Sequence, residues 1–220
     1  ISWWQKLNSL PSEQQGILGT GTGGSSIGFD LKAQLNNNGR LVASIENGAG
    51  VTASITSSNN FIPQDTTTWY HYVLTHSNGA WNIYRDGGNN ESASSSISWS
   101  TSNHSRDMEL ANANANTPTD VKDLTADLDE MVIYDRVITS SEISALYNSG
   151  SGTSTPSTNG MVAHYNFEQT GTTLESQVPL PPTNTKLLQL NDITFNVGTT
   201  SASVDGISTN TRSTGNAWSF

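Results

Sequence analysis

The sequence predicts an all-β fold, a sandwich of two antiparallel sheets with one short helix near 140–148. Three observations lead there. Apolar residues alternate with polar ones in short runs bounded by turn residues. Ser, Thr, Asn and Gly dominate the polar remainder, with nineteen glycines and only four lysines, a composition poor in helix formers. A single segment carries a helix start signal. With 220 residues the chain is long enough to bury a core without staples. It has no cysteine, which removes disulfides, thiolate metal sites and cysteine nucleophiles together.

Each element follows from its own pattern. Ile1-Ser2-Trp3-Trp4 reads as the middle of a strand, so the sequence reads as starting after processing or at a boundary within something longer. Leu41, Ala43 and Ile45, then Val51, Ala53 and Ile55, alternate on either side of Asn47-Gly48, which predicts a hairpin. A second hairpin pairs Trp69 to His76 with Trp81 to Arg85 through Ser77-Asn78-Gly79. Tyr70, Tyr72 and Leu74 share one face of its first strand, and Trp69, His71 and Val73 share the other. Apolar groups on both faces predict a central position. Residues 88–125 read as long loops with one or two short strands. In Leu128 to Val137, simple alternation puts Leu128, Val132 and Tyr134 on one face and Met131 and Ile133 on the other.

Thr139-Ser140-Ser141-Glu142 fits a capping box, and Ile143, Leu146 and Tyr147 form one apolar stripe, with Gly150 as the stop. Ser151 to Thr158 reads as a flexible linker by composition. Beyond it, Met161, Ala163, Tyr165 and Phe167 alternate as a strand. Leu187-Leu188-x-Leu190 with Ile193-x-Phe195-x-Val197 reads as a further hairpin.

Two segments, TTWYHYVLTHSNGAWNIYRDG and ADLDEMVIYDRVITSSEISALYNSG, resemble the paired strands and the closing strand and helix of laminin-G-like modules. These are concanavalin A-like jelly-roll sandwiches of extracellular proteins. The opening of such a module also has a counterpart, but late in the chain: NGMVAHYNFEQTGTTL at 159–174 and SVDGIS at 203–208. ISWWQKLNSL resembles the strand that follows. Residues 1–150 are therefore expected to be the later two-thirds of a sandwich, 151–158 a linker, and 159–220 its first third. That order fits a circular permutation, a tandem repeat, or a strand-exchange homopolymer in which the chain is its own partner.

The functional expectations are of three kinds. Nine basic against nineteen acidic residues give a net charge of −10, which argues against nucleic acid and anionic membranes as partners. No apolar run approaches the ~18 residues of a spanning helix. Hydrolase chemistry on this scaffold needs paired carboxylates about 5–5.5 Å apart in a retaining enzyme. Asp127 and Asp129 have strand spacing, but the next position on their face is Met131 and Glu130 alternates away. Those three residues read as strand-end capping, and the chain as no enzyme. Calcium remains open for Asp127, Asp129 and Asp205, which the resemblance brings to the closing edge.

Of the four histidines, His71, His76, His104 and His164, the two in strand patterns, His71 and His164, read as core or edge residues; no pair has zinc-like spacing, and no nucleophile motif is present. Gly19 to Gly24 lacks the lysine and helix of a phosphate loop and reads as a hairpin connection. Trp3, Trp69, Trp81 and Trp218 read as core. Trp4 and Trp99 are the ligand-binding candidates, Trp99 because it stands alone in a Ser-rich stretch. Asn90-Glu91-Ser92 and Asn103-His104-Ser105 match glycosylation acceptors at a frequency close to chance. The expected function is an extracellular structural or adhesive unit, repeated or self-associating, with a glycan-binding lectin module as the alternative.

Overall fold

A computed structural model describes residues 1–10, 13–19, 27–34, 39–47, 52–94, 108–111, 124–168 and 176–178, with strands at 193–197, 200–203 and 218–219. The first sheet runs β11 (Met161–Tyr165), β10 (Ala126–Tyr134), β1 (Ser2–Leu7), β6 (Tyr70–Ser77), β7 (Ala80–Arg85), β8 (Asn89–Ser94), with β14 (Trp218–Ser219) also on β10. The second runs β13 (Thr200–Ser203), β12 (Ile193–Val197), β9 (Met108–Leu110), β2 (Gln14–Gly19), β3 (Ile27–Gln34), β4 (Arg40–Asn47), β5 (Thr52–Thr56). The fold is the all-β sandwich expected, mostly antiparallel. One pair departs from that expectation, because β9 and β12 run parallel.

The two inner faces supply the core through strand alternation. Trp3, Tyr72, Leu74, Trp81 and Ile83 come from the first sheet, and Leu31, Leu41, Ala43, Ile45 and Ile55 from the second. Trp3 and Tyr72 stack with ring centres 5.5 Å apart. β6 is central, between β1 and β7, and its outward Val73 packs with Val132, Ile138, Ile143 and Leu146 beneath the helix.

The helix, α1 (Ser140–Tyr147), starts at the predicted box: Thr139 Oγ1 accepts from the Glu142 amide while the Glu142 carboxylate accepts from the Thr139 amide. It stops earlier than Gly150. Asn148 takes the left-handed conformation at φ 47° and caps it, a conformation that asparagine tolerates well.

The predicted hairpin of β4 and β5 forms, with Ala43 opposite Ile55; its Asn47-Gly48 turn lies largely outside the described residues. Ile193–Val197 finds its antiparallel partner in Thr200–Ser203, a few residues later, and 187–190 lie outside the description. β11 lies against β10, with Met131 opposite Tyr165, and Phe167 beyond it is wholly buried in the same core. β14 pairs with Asp127 and Leu128 on the edge of β10 opposite β1.

Simple alternation fails once in β10. Opposite β1 the register slips between Ser2 and Trp4, which pair with Val132 and Asp129. The extra residue is Glu130, at φ 45°, a β-bulge with its pivot in the left-handed region. Parity therefore reverses there. Leu128 joins Met131 and Ile133 on the core side, while Val132 and Tyr134 face the helix, which corrects the face assignment made from alternation.

Candidate functional site

The outward row across the first sheet at Trp4 is His71 on β6, Trp4 on β1 and Asp129 on β10, all in register. Above it sits the end of α1. Tyr147 stacks on Trp4 with ring centres 5.9 Å apart and on His71 at 6.1 Å. The chain then turns back over the indole: Asn148 Nδ2 donates to the Gly152 carbonyl at 2.8 Å, and the Gly152 amide donates to the Tyr147 carbonyl. At Gly152, φ is +66° and a Cβ would lie 3.3 Å from Trp4 Nε1. Glycine is needed there for both reasons.

One row down lie Lys6 and Asp127. The Lys6 ammonium bonds Asp127 at 2.9 Å and sits 5.3 Å above the Trp69 ring. Asn8 Nδ2 donates to Asp127 as well. Asp127 is thereby committed to the sheet rather than to the open site.

Between these rows and the 148–154 segment lies a cavity of about 570 Å³, a size typical of small-molecule sites. Its aromatic walls are Trp4 and Trp69, its acidic wall is Asp129 and Glu130, and its polar rim is Asn148 and Ser151 to Ser154. The bulge is what brings the two carboxylates together. Alternation alone would send Glu130 away from Asp129, but its left-handed backbone keeps it on the outer face, where it bonds His164 Nε2 at 2.6 Å. Asp129 Oδ1 accepts from the Glu130 amide. Burial pushes the Asp129 carboxyl up to about 7, the neighbouring Glu130 charge adds to the rise, and that amide bond opposes it.

The sequence candidates divide accordingly. Trp4 lines the cavity by one edge, being 8% exposed under Tyr147. Trp99 and Asp205 lie outside the described residues. Of the calcium candidates, Asp129 lines the cavity and Asp127 is ion-paired; among the described residues no three acidic or histidine side chains gather as a metal site. Trp69 was expected in the core and instead is half-buried at the cavity wall. Asn148 and Ser151 to Ser154 were read as helix end and linker, and they form the rim.

A second arrangement has the look of chemistry and lacks access. Ser2 Oγ and His71 Nε2 are 2.8 Å apart, the geometry of a nucleophile and its base. Ser2 is fully buried, and burial lowers the His71 imidazole to about 4, so the pair serves as an internal polar contact.

A family described as the Concanavalin A-like lectin/glucanases superfamily, in its third laminin G model, matches residues 1–144. The chain belongs to this family. The match and the two-sheet topology agree on a concanavalin A-like sandwich. No curated protein sequence matches this chain. Among solved structures, the binding domain of botulinum neurotoxin serotype G is similar at 14% identity, over 66% of this chain and 35% of that one, with a TM-score of 0.41. An S-layer domain-containing protein (residues 221–444) from Clostridium thermocellum ATCC 27405 is similar at 19% identity, over 62% and 64%, with a TM-score of 0.30. This chain thus spans less than two-thirds of either structure. The concanavalin A-like assignment rests on the family match and the topology.

Proposed function

We propose that this concanavalin A-like domain is a non-enzymatic extracellular binding module whose cavity beside Trp4 and Trp69 takes a glycan. The observation that carries the reading is the composition of one cavity: an aromatic wall, two carboxylates and a rim of hydroxyls and one amide. Apolar sugar faces stack on aromatic rings, and sugar hydroxyls are satisfied by carboxylates, amides and hydroxyls, so each wall has a matching ligand surface. Glycoside hydrolysis needs carboxylates on either side of the scissile bond. Asp129 and Glu130 are chain neighbours on one wall, and Glu130 is bonded to His164. The four lysines and net charge of −10 suit a surface facing the extracellular medium. Among the described residues no helix is long and apolar enough to cross a membrane. A glycan array followed by calorimetry tests the reading: binding that Trp69→Ala removes while the fold persists supports it, and a blank array overturns it.

A second reading, self-association, draws on β11. Met161 to Phe167 resembles the opening of such a module, adds a strand to β10, and buries Phe167 completely. A segment of this kind, following 151–158, is what a neighbouring copy exchanges in a repeat or homopolymer. Light scattering across a concentration series tests it, and a monomer at every concentration counts against it.

A further inference from the structure

The first cavity has a neighbour. On the far side of the Glu130–His164 pair lies a second cavity of about 360 Å³, and Ser154 lines both. His164 therefore stands between them, bonded to Glu130 on one side and lining the second cavity on the other. The second cavity differs in character. Pro156, Met161 and Val178 give it an apolar wall, and Asn166 and Gln177 add amides. It is also built rather than incidental: the Gln177 backbone N–H donates to the His164 carbonyl at 2.7 Å, and the His164 backbone N–H donates to Ser176 Oγ at 3.0 Å. These bonds hold the 176–178 wall against β11.

Resting on the glycan reading above, we propose that the two cavities are successive subsites for one linear glycan, the second accepting an N-acetylated sugar. An acetamido group presents a methyl, a carbonyl and an N–H within one plane. The methyl matches the Pro156, Met161 and Val178 wall, and the carbonyl matches the Asn166 side-chain amide. Asn166 Oδ1 already accepts from the Glu168 amide, which orients its NH₂ as a donor for a carbonyl. The acidic first cavity has no comparable apolar wall beyond its two indoles, so the preference for an acetamido group belongs to the second.

The test uses two probes of equal length, the β-1,4-linked tetramers of N-acetylglucosamine and of glucose, titrated into the full chain by calorimetry. A buried methyl and a hydrogen bond together give an expected advantage of about tenfold for the acetylated tetramer. Thr155→Trp, an exposed position on the second cavity, should abolish that advantage and leave glucose-tetramer binding in place. Equal affinities, or a preference that survives Thr155→Trp, overturn the second subsite while the first stands, provided Trp69→Ala weakens both probes. No binding of either tetramer overturns both readings.

Discussion

Trp4 and Asp129 are register partners across β1 and β10, and the alternation of β10 breaks at the very next residue. That juxtaposition sets an aromatic edge against a carboxyl pushed up to about 7 by burial, with Glu130 folded onto the same wall by the bulge. The candidate site is thus a product of one irregular residue in an otherwise regular sheet.

The bulge predicts an order among substitutions at Glu130. A β-branched residue at φ 45° is strained, so Glu130→Val should cost about 1–3 kcal/mol. Glu130→Gly relieves the backbone and loses the bond to His164, leaving stability within about 1 kcal/mol of the parent. Urea unfolding of both variants checks this; equal costs would mean that the left-handed pivot is not what the site needs.

Asp129 predicts a pH dependence with a defined sign. Its folded pKa of about 7 stands above the ordinary carboxyl value of 3.8. The unfolded chain therefore gives up this proton more readily, and stability falls as pH rises from about 4 through 7. Asp129→Asn should flatten that decline and raise the melting temperature at pH 8 relative to the parent. A parent profile that rises over this window would contradict the assignment.

Gly152 is expected to be intolerant. An alanine there meets both the left-handed φ and the Trp4 indole, so Gly152→Ala should cost about 1–2 kcal/mol. It should also alter the tryptophan fluorescence of the native state. An unchanged urea midpoint would show that the 151–154 segment does not press on Trp4.

The helix start should be separable from the cavity. Thr139→Ala removes one half of the capping box and should cost about 1 kcal/mol. Hydrogen bonds from Arg136, and then from Thr139, hold the Glu142 carboxyl down at about 2. The stability it adds is present above its ordinary value of 4.5 and is lost as pH falls toward 2. Acid titration of Glu142→Gln should show a smaller loss across that window than the parent.

Most of the scaffold was legible because its signals are local. The capping box at Thr139 and Glu142, the pairing of β4 with β5, and the two-faced strand at Tyr70 to Ser77 all follow from residues within one element or one hairpin. The site was not legible for the same reason. Asp129 and Glu130 look like alternating strand residues until β1 is laid beside them, since a bulge is a property of the pair of strands. Trp69 resembles any strand-leading tryptophan; only its approach to Lys6 from β1 places it at a cavity wall. Ser151 to Ser154 has the composition of a linker, and its role as rim depends on the Asn148 and Gly152 contacts that fold it back over Trp4.

The most direct test of the central claim is a ¹H–¹⁵N spectrum of the tryptophan indoles, recorded while the β-1,4-linked glucose tetramer is added. The account predicts saturable shifts at Trp4 and Trp69, with the core indoles of Trp3 and Trp81 unmoved. Saturable shifts confined to other tryptophans, or none at millimolar probe, would contradict it.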